Sequence, residues 1–177
     1  MAQTISSSPR LSVKERDRRY AAIREQLRER GIDCLIVMGS DLTYLTNYLP
    51  GELFGLLPTN SDIPLTVQIM GRYLVDVSPQ VLLDGQDWVS EVRAANSSEP
   101  MLERIKELKL EGGTIAVTRS RSSIGGLSHG FYADLQAASP NAKIVDATDI
   151  LLNLRTTKSE EEMWSLIAAG HFGHGRW

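Results

Sequence analysis

The chain has 177 residues, 42% of them hydrophobic, with 19 basic and 22 acidic residues and a net charge of −3. That length suits one ordinary domain with a real core and is short for two. The mixed, slightly acidic balance excludes a basic face for nucleic acid or an anionic membrane. The leader MAQTISSSPR has no apolar segment and the chain has no 18-residue hydrophobic run, so a soluble, cytoplasmic protein is expected.

Residues 1–10 are Ser-rich and patternless, which predicts a disordered leader. From Ser12 to Arg30, Val13, Tyr20, Ile23 and Leu27 recur at helical spacing with charges between them, and Gly31 stops the helix. Cys34 to Met38 is a continuous apolar run, the pattern of a strand buried on both faces. Cys34, the only cysteine, is read as a small core residue, since nothing nearby would activate a thiol. Asp41 is expected to cap a helical turn through Leu45. A Gly-, Pro- and Asn-rich loop should run from Asn47 to Asp62, with a strand at Leu53–Leu57 inside it. Pro64–Met70 and Tyr73–Val77 flank Gly71-Arg72 as a hairpin, which would bring antiparallel pairing into the sheet.

Further on, Trp88–Val92 reads as a strand. Ser98-Glu-Pro opens a helix whose Met101, Ile105 and Leu108 share a face, ended by Gly112-Gly113. Thr114–Val117 is a buried strand, Phe131–Ala138 a short helix and Lys143–Val145 a last strand, followed by a turn through Ile150 to Leu152 capped by Asp146 or Thr148. Strands alternating with helices, plus a hairpin, predict a three-layer α/β domain with a mixed, partly antiparallel sheet.

Catalytic constellations are missing: there is no phosphate-binding loop, dinucleotide fingerprint, H-E-x-x-H or nucleophile elbow. Ile124 to Gly130 carries glycines at the spacing of none of these, and Thr118 to Ser122 reads as a solvated loop. His129 stands alone, and His171 and His174 lack the further ligands a metal requires, so no metal site and no catalytic residue is assigned. Glu160-Glu161-Glu162 is explained by the positive end of a helix dipole. The best surface candidates are Tyr44, Asn47, Tyr48, Glu52 and Phe54, aromatic and polar side chains in a Gly/Pro loop suited to a pocket rim or subunit contact. The plainer alternative is that these aromatics cover the sheet edge.

The order of R-G-I-D-C-L-I-V (30–37), S-D-L-T-Y-L-T-N-Y (40–48) and the hairpin resembles the N-terminal domain of the creatinase/prolidase metallohydrolases. Residues 131–151 and L-R-T-T-K-S-E-E-E-M (154–163) are similar to that family's last strand and its junction with a catalytic domain. The resemblance spans roughly Leu11 to Ala169. It implies an N-terminal-like α/β domain over 11–154 and, over 155–177, a junction helix and tail leading toward a catalytic domain absent from this chain. That absent domain would hold two divalent metal ions on two Asp, one His and two Glu. This chain alone, without cofactor, is then expected to be inactive, and a peptide or small amidino substrate would need the catalytic domain. The resemblance also implies a homodimer and gives the five loop residues a substrate-facing role. Departures from the family pattern at Asp41, Asn47 and Thr156-Thr157 leave the substrate open. The alternative from another class is a stand-alone interaction module derived from such an enzyme.

The junction carries its own local signals. Ser159 as N-cap with Glu162 three residues on forms a capping box, and Met163, Leu166 and Ile167 make an apolar stripe. Past Ala169, three glycines in GHFGHGRW should fray the helix.

Overall fold

A computed structural model describes residues 11–49, 51–70, 86–118 and 127–174, with side chains as far as residue 168. The expected leader, the strand Tyr73–Val77, most of the Thr118–Ser122 loop, residues 124–126 of the Ile124–Gly130 loop and the tail histidine side chains lie outside the described residues.

The first helix, α1 (Val13–Glu29), starts where Ser12 accepts a hydrogen bond from the Glu15 amide. It ends in a Schellman closure, with Gly31 N donating to the Arg28 carbonyl and Ile32 N to Leu27, and Gly31 at φ 63° supplies the left-handed residue that closure needs. The chain reverses into β1 (Cys34–Met38), buried along its whole length, and passes without a loop into α2 (Gly39–Thr46). β2 (Glu52–Pro58) and β3 (Thr66–Ile69) follow, then β4 (Glu91–Ala94), α3 (Glu99–Glu107), β5 (Thr114–Val117), α4 (His129–Ala138), β6 (Lys143–Asp146), α5 (Thr148–Thr156) and α6 (Glu160–His174).

The six strands form one sheet in the order β4-β3-β2-β1-β5-β6. β2 alone runs against the others, pairing antiparallel with both β1 and β3, while the β3–β4, β1–β5 and β5–β6 pairs are parallel. The mixed sheet is as expected, but its antiparallel member is β2. Over 66–69 both edges of β3 are taken, by β2 and β4, so the antiparallel pairing described there owes nothing to a hairpin across Gly71-Arg72.

Because alternate strand residues face opposite ways, β1 feeds two cores. Leu35 and Val37 join Tyr20, Ile23 and Leu27 of α1, Leu42 and Leu45 of α2, and Ile150 and Leu151 of α5. Cys34, Ile36 and Met38 join Met101 and Ile105 of α3 and Phe131 and Leu135 of α4. Helices thus cover both faces, and Cys34 sits fully buried, its thiol pushed up to about 12 by burial first and then by the charge of Asp33.

Local departures from expectation have local causes. The strand expected at Leu53–Leu57 is present and one residue longer at each end, as β2. Trp88 and Val89 are not in a strand. They are buried in a turn held by Gln86, whose Oε1 accepts from both of their amides at 2.7 Å, and β4 begins only at Glu91. α3 stops at Glu107, ahead of Gly112-Gly113, through a Schellman closure with Lys109 at φ 57°. Asp41 does not cap α2: the N-cap position is Met38, which makes no side-chain bond. The glycines of the tail do not fray α6 at Ala169, since its helical backbone runs to His174.

Candidate functional site

The loop residues singled out as a rim are organised by the end of α2. Asn47 and Tyr48 both take left-handed backbone, with φ 52° and 71°. Two successive non-glycine residues in that region cost of order 1 kcal/mol or more each and persist only where the surroundings over-determine them. Here the determinant is Glu52. Its carboxylate accepts from the Thr43 and Thr46 hydroxyls and from Leu49 N at 3.2 Å, tying the helix end and the turn to the start of β2. The turn so held presents Tyr48 with 68% of its surface exposed.

The other two candidates point elsewhere. Phe54 stacks on Phe131, with ring centroids 4.3 Å apart, and packs against the core under α3 and α4. It covers one face of the sheet from the interior strand β2 rather than its edge. Tyr44 lies on the opposite face, its ring 3.9 Å beneath the Arg19 guanidinium. Burial raises its phenol pKa, opposed by the charge of Arg19. The fold therefore brings Asn47, Tyr48 and Glu52 together at one turn, and separates Tyr44 and Phe54 across the sheet.

Arg19 is the centre of a buried ionic cluster that inspection of the sequence missed. It is 3% exposed and donates to Glu15 Oε1 at 2.9 Å, to Glu162 Oε1 at 2.8 Å and to the Tyr44 carbonyl. Its guanidinium also lies 5.0 Å from the Trp88 ring. Arg18 adds a paired contact to Glu15, at 2.7 and 2.8 Å. A signal was available: Glu15, Arg19, Ile23 and Leu27 follow one another at four-residue spacing, which places the two charges on the buried stripe of α1.

Burial would raise the Glu15 carboxyl, but the hydrogen bonds and charges of Arg18 and Arg19 outweigh it and lower its pKa from 4.5 to about 2. A depressed folded-state pKa stabilises above the unfolded value and loses that contribution as pH falls through the folded one. The chain is therefore expected to lose stability between about pH 4.5 and 2 through Glu15. Urea midpoints measured across that interval should fall less steeply in Glu15→Gln than in the unaltered chain.

A second ion pair joins the segments 40–48 and 154–163. Arg155 Nη1 of α5 donates to Asp41 Oδ1 at 2.6 Å and to Ser40 Oγ at 3.1 Å, with Asp41 buried. Among the described residues, no three of His, Cys, Asp and Glu gather as metal ligands. The carboxylate pairs that do cluster, Glu15 with Glu162 and Glu91 with Glu107, face guanidinium groups, which does not fit a metal pair. No helix among the described residues is long and apolar enough to cross a membrane.

Comparison with known proteins bears on this arrangement. The chain resembles the Xaa-Pro dipeptidase of Bacillus anthracis, with TM-score 0.63 and 16% identity over 84% of this chain and 38% of that one. It resembles the X-Pro aminopeptidase of Thermotoga maritima, with TM-score 0.61 and 20% identity over 82% and 38%. It also resembles the N-terminal domain of the cytoplasmic peptidase PepQ of Mycobacterium tuberculosis, with TM-score 0.60 and 16% identity over 78% and 98%. The chain thus spans well under half of the two longer proteins and nearly all of the isolated domain. Comparison with the sequences of curated proteins finds no match. The sequence model of the Creatinase/Prolidase N-terminal domain matches residues 19–157, from the Arg19 hub to just past Arg155, and the chain belongs to that family.

Proposed function

We propose that this chain serves as the non-catalytic N-terminal domain of a metal-dependent Xaa-Pro peptidase, prolidase or creatinase-like hydrolase, acting in the cytoplasm as a homodimer. Family membership and the peptidases it resembles support the parent activity. The two metal ions and the hydrolytic chemistry belong to a catalytic domain outside this chain. Within the chain, the turn at Asn47, Tyr48 and Glu52 is the part of the rim that faces substrate.

One observation carries the rim assignment: Tyr48 is held in left-handed backbone while its large aromatic side chain faces solvent. The Glu52 contacts hold the backbone of the turn, but among the described residues the Tyr48 ring joins neither hydrophobic core, which leaves it free to meet a ligand. In the protein that joins this domain to its catalytic domain, Tyr48→Ala is expected to raise KM for Xaa-Pro dipeptides about fivefold, with kcat little changed, the mark of lost uniform binding. Unchanged kinetics on Xaa-Pro dipeptides and on creatine-like substrates would sink the rim role.

A stand-alone interaction module is the second reading, favoured by Met163, Trp164 and Leu166 on α6, which are 48, 70 and 56% exposed. Aromatic and Met-rich faces suit protein contacts. Coding sequence for the five metal ligands in frame beyond Trp177 supports the enzyme, and a stop codon there supports the module.

A further inference from the structure

The helix α6 is attached to the domain in an unusual way. Among the described residues, neither hydrophobic core includes any of its side chains, and Met163, Trp164 and Leu166 are directed outward. The carboxylates of Glu161 and Glu162, in its first turn, tie it to α1 and to the residue that caps α1. The Ser12 amide and hydroxyl donate to the Glu161 carboxylate, the hydroxyl at 2.8 Å. Arg19 donates to Glu162 Oε1 at 2.8 Å, and Arg18 approaches Oε2 at 3.4 Å.

Glu162 does two jobs with its two oxygens. Oε2 accepts from Ser159 N at 2.8 Å while Ser159 Oγ accepts from Glu162 N at 3.1 Å, completing the capping box that starts the helix. Oε1 faces the buried Arg19. The residue before α5 gives way to α6, Thr157, has extended backbone with φ −95° and ψ 106°, a joint between two helices.

We propose that Glu15, Arg19 and Glu162 form a charge latch that sets the direction in which α6 leaves the domain, and that the latch can open while the sheet and both cores stay folded. Arg19 is the positioning residue: it is fixed from the domain side by Glu15, the Tyr44 carbonyl and the Tyr44 ring, and presents one remaining edge to Glu162. A fifteen-residue helix released from its support is marginal in water, so opening the latch also loosens the helix.

Glu162→Gln separates the two jobs, because glutamine still accepts at the capping position but carries no charge for Arg19. Amide hydrogen exchange of the 177-residue chain is the readout. In Glu162→Gln, the amides of 163–168 are expected to exchange about tenfold faster or more, as loss of a charge-assisted hydrogen bond implies, while those of β1 (34–38) are unchanged. Ser159→Ala, which removes the cap hydroxyl and leaves the latch, should give a smaller rise. Exchange in 163–168 unaltered by Glu162→Gln, an equal acceleration in β1, failure of that variant to fold, or a larger effect of Ser159→Ala would each overturn the latch.

Discussion

Replacing Arg19 with methionine is expected to destabilise the chain by about 3 kcal/mol, toward the low end of what breaking a buried ion pair costs. Methionine keeps much of the stem that lies against Tyr44 and Trp88 but leaves Glu15, 4% exposed, and the inward oxygen of Glu162 without their shared cation. Arg18 still reaches Glu15, which keeps the loss from being larger. For a chain of this size the change corresponds to a fall in melting temperature of roughly 6–12 °C. The effect should depend on pH in a defined sense. Glu15 titrates at about 2 because two guanidinium groups oppose the effect of burial. With one removed its pKa rises, so the gap between the unaltered chain and Arg19→Met narrows as pH falls below about 4.5. A gap that is constant from pH 6 to 3 would mean that Arg19 stabilises through packing alone.

That cluster also marks where inspection of the sequence stopped being informative. Helices and strands with a clean hydrophobic period were legible: α1 from its apolar stripe, β1 and β5 from their continuous runs, and the capping box at Ser159 from two residues three apart. These are local signals, set within a few residues. The offset of β4 shows the limit, since Trp88 and Val89 look like strand residues yet are buried by a turn that Gln86 builds with its side chain. The ionic ties were harder still. Glu162 lies 143 positions from Arg19 and Arg155 lies 114 from Asp41, so no local spacing announces either pair. Glu160 to Glu162 looked like helix-dipole compensation, which explains their presence in a first turn but not that Glu161 and Glu162 are met by partners on α1.

The same distinction applies to the rim. Composition placed five residues in one loop, and backbone conformation sorts them. Glu52 fastens the turn, Asn47 and Tyr48 take its strained geometry, Phe54 is a core-covering residue, and Tyr44 is a platform for Arg19. Alternation along β2 sends Phe54 to the far face, and helical geometry sends Tyr44 toward α1. The turn depends in turn on how closely α2 lies against the sheet.

That approach rests on Gly55, in the middle of β2 and buried. A Cβ there would stand 2.5 Å from Leu42 Cδ1, 2.9 Å from Val37 Cγ2 and 3.3 Å from Leu65 Cδ1. Leu42 of α2 is itself fully buried and uses the space a side chain at 55 would take. Gly55→Ala is therefore expected to cost about 1–3 kcal/mol by overpacking, despite the gain alanine ordinarily brings in a strand. Leu42→Ala should cost about 2–5 kcal/mol through lost burial and the cavity left behind. The two defects are complementary, because the methyl added at 55 enters the space that Leu42 vacates. The double variant should thus be more stable than the sum of the two losses predicts, by about 1 kcal/mol or more, as residues in direct contact allow. Urea midpoints of the four proteins close this cycle. Strict additivity would show that α2 shifts away from the sheet in Gly55→Ala rather than being held there. In that case the same variant should also disturb the Glu52 contacts with Thr43 and Thr46, and with them the strained presentation of Tyr48.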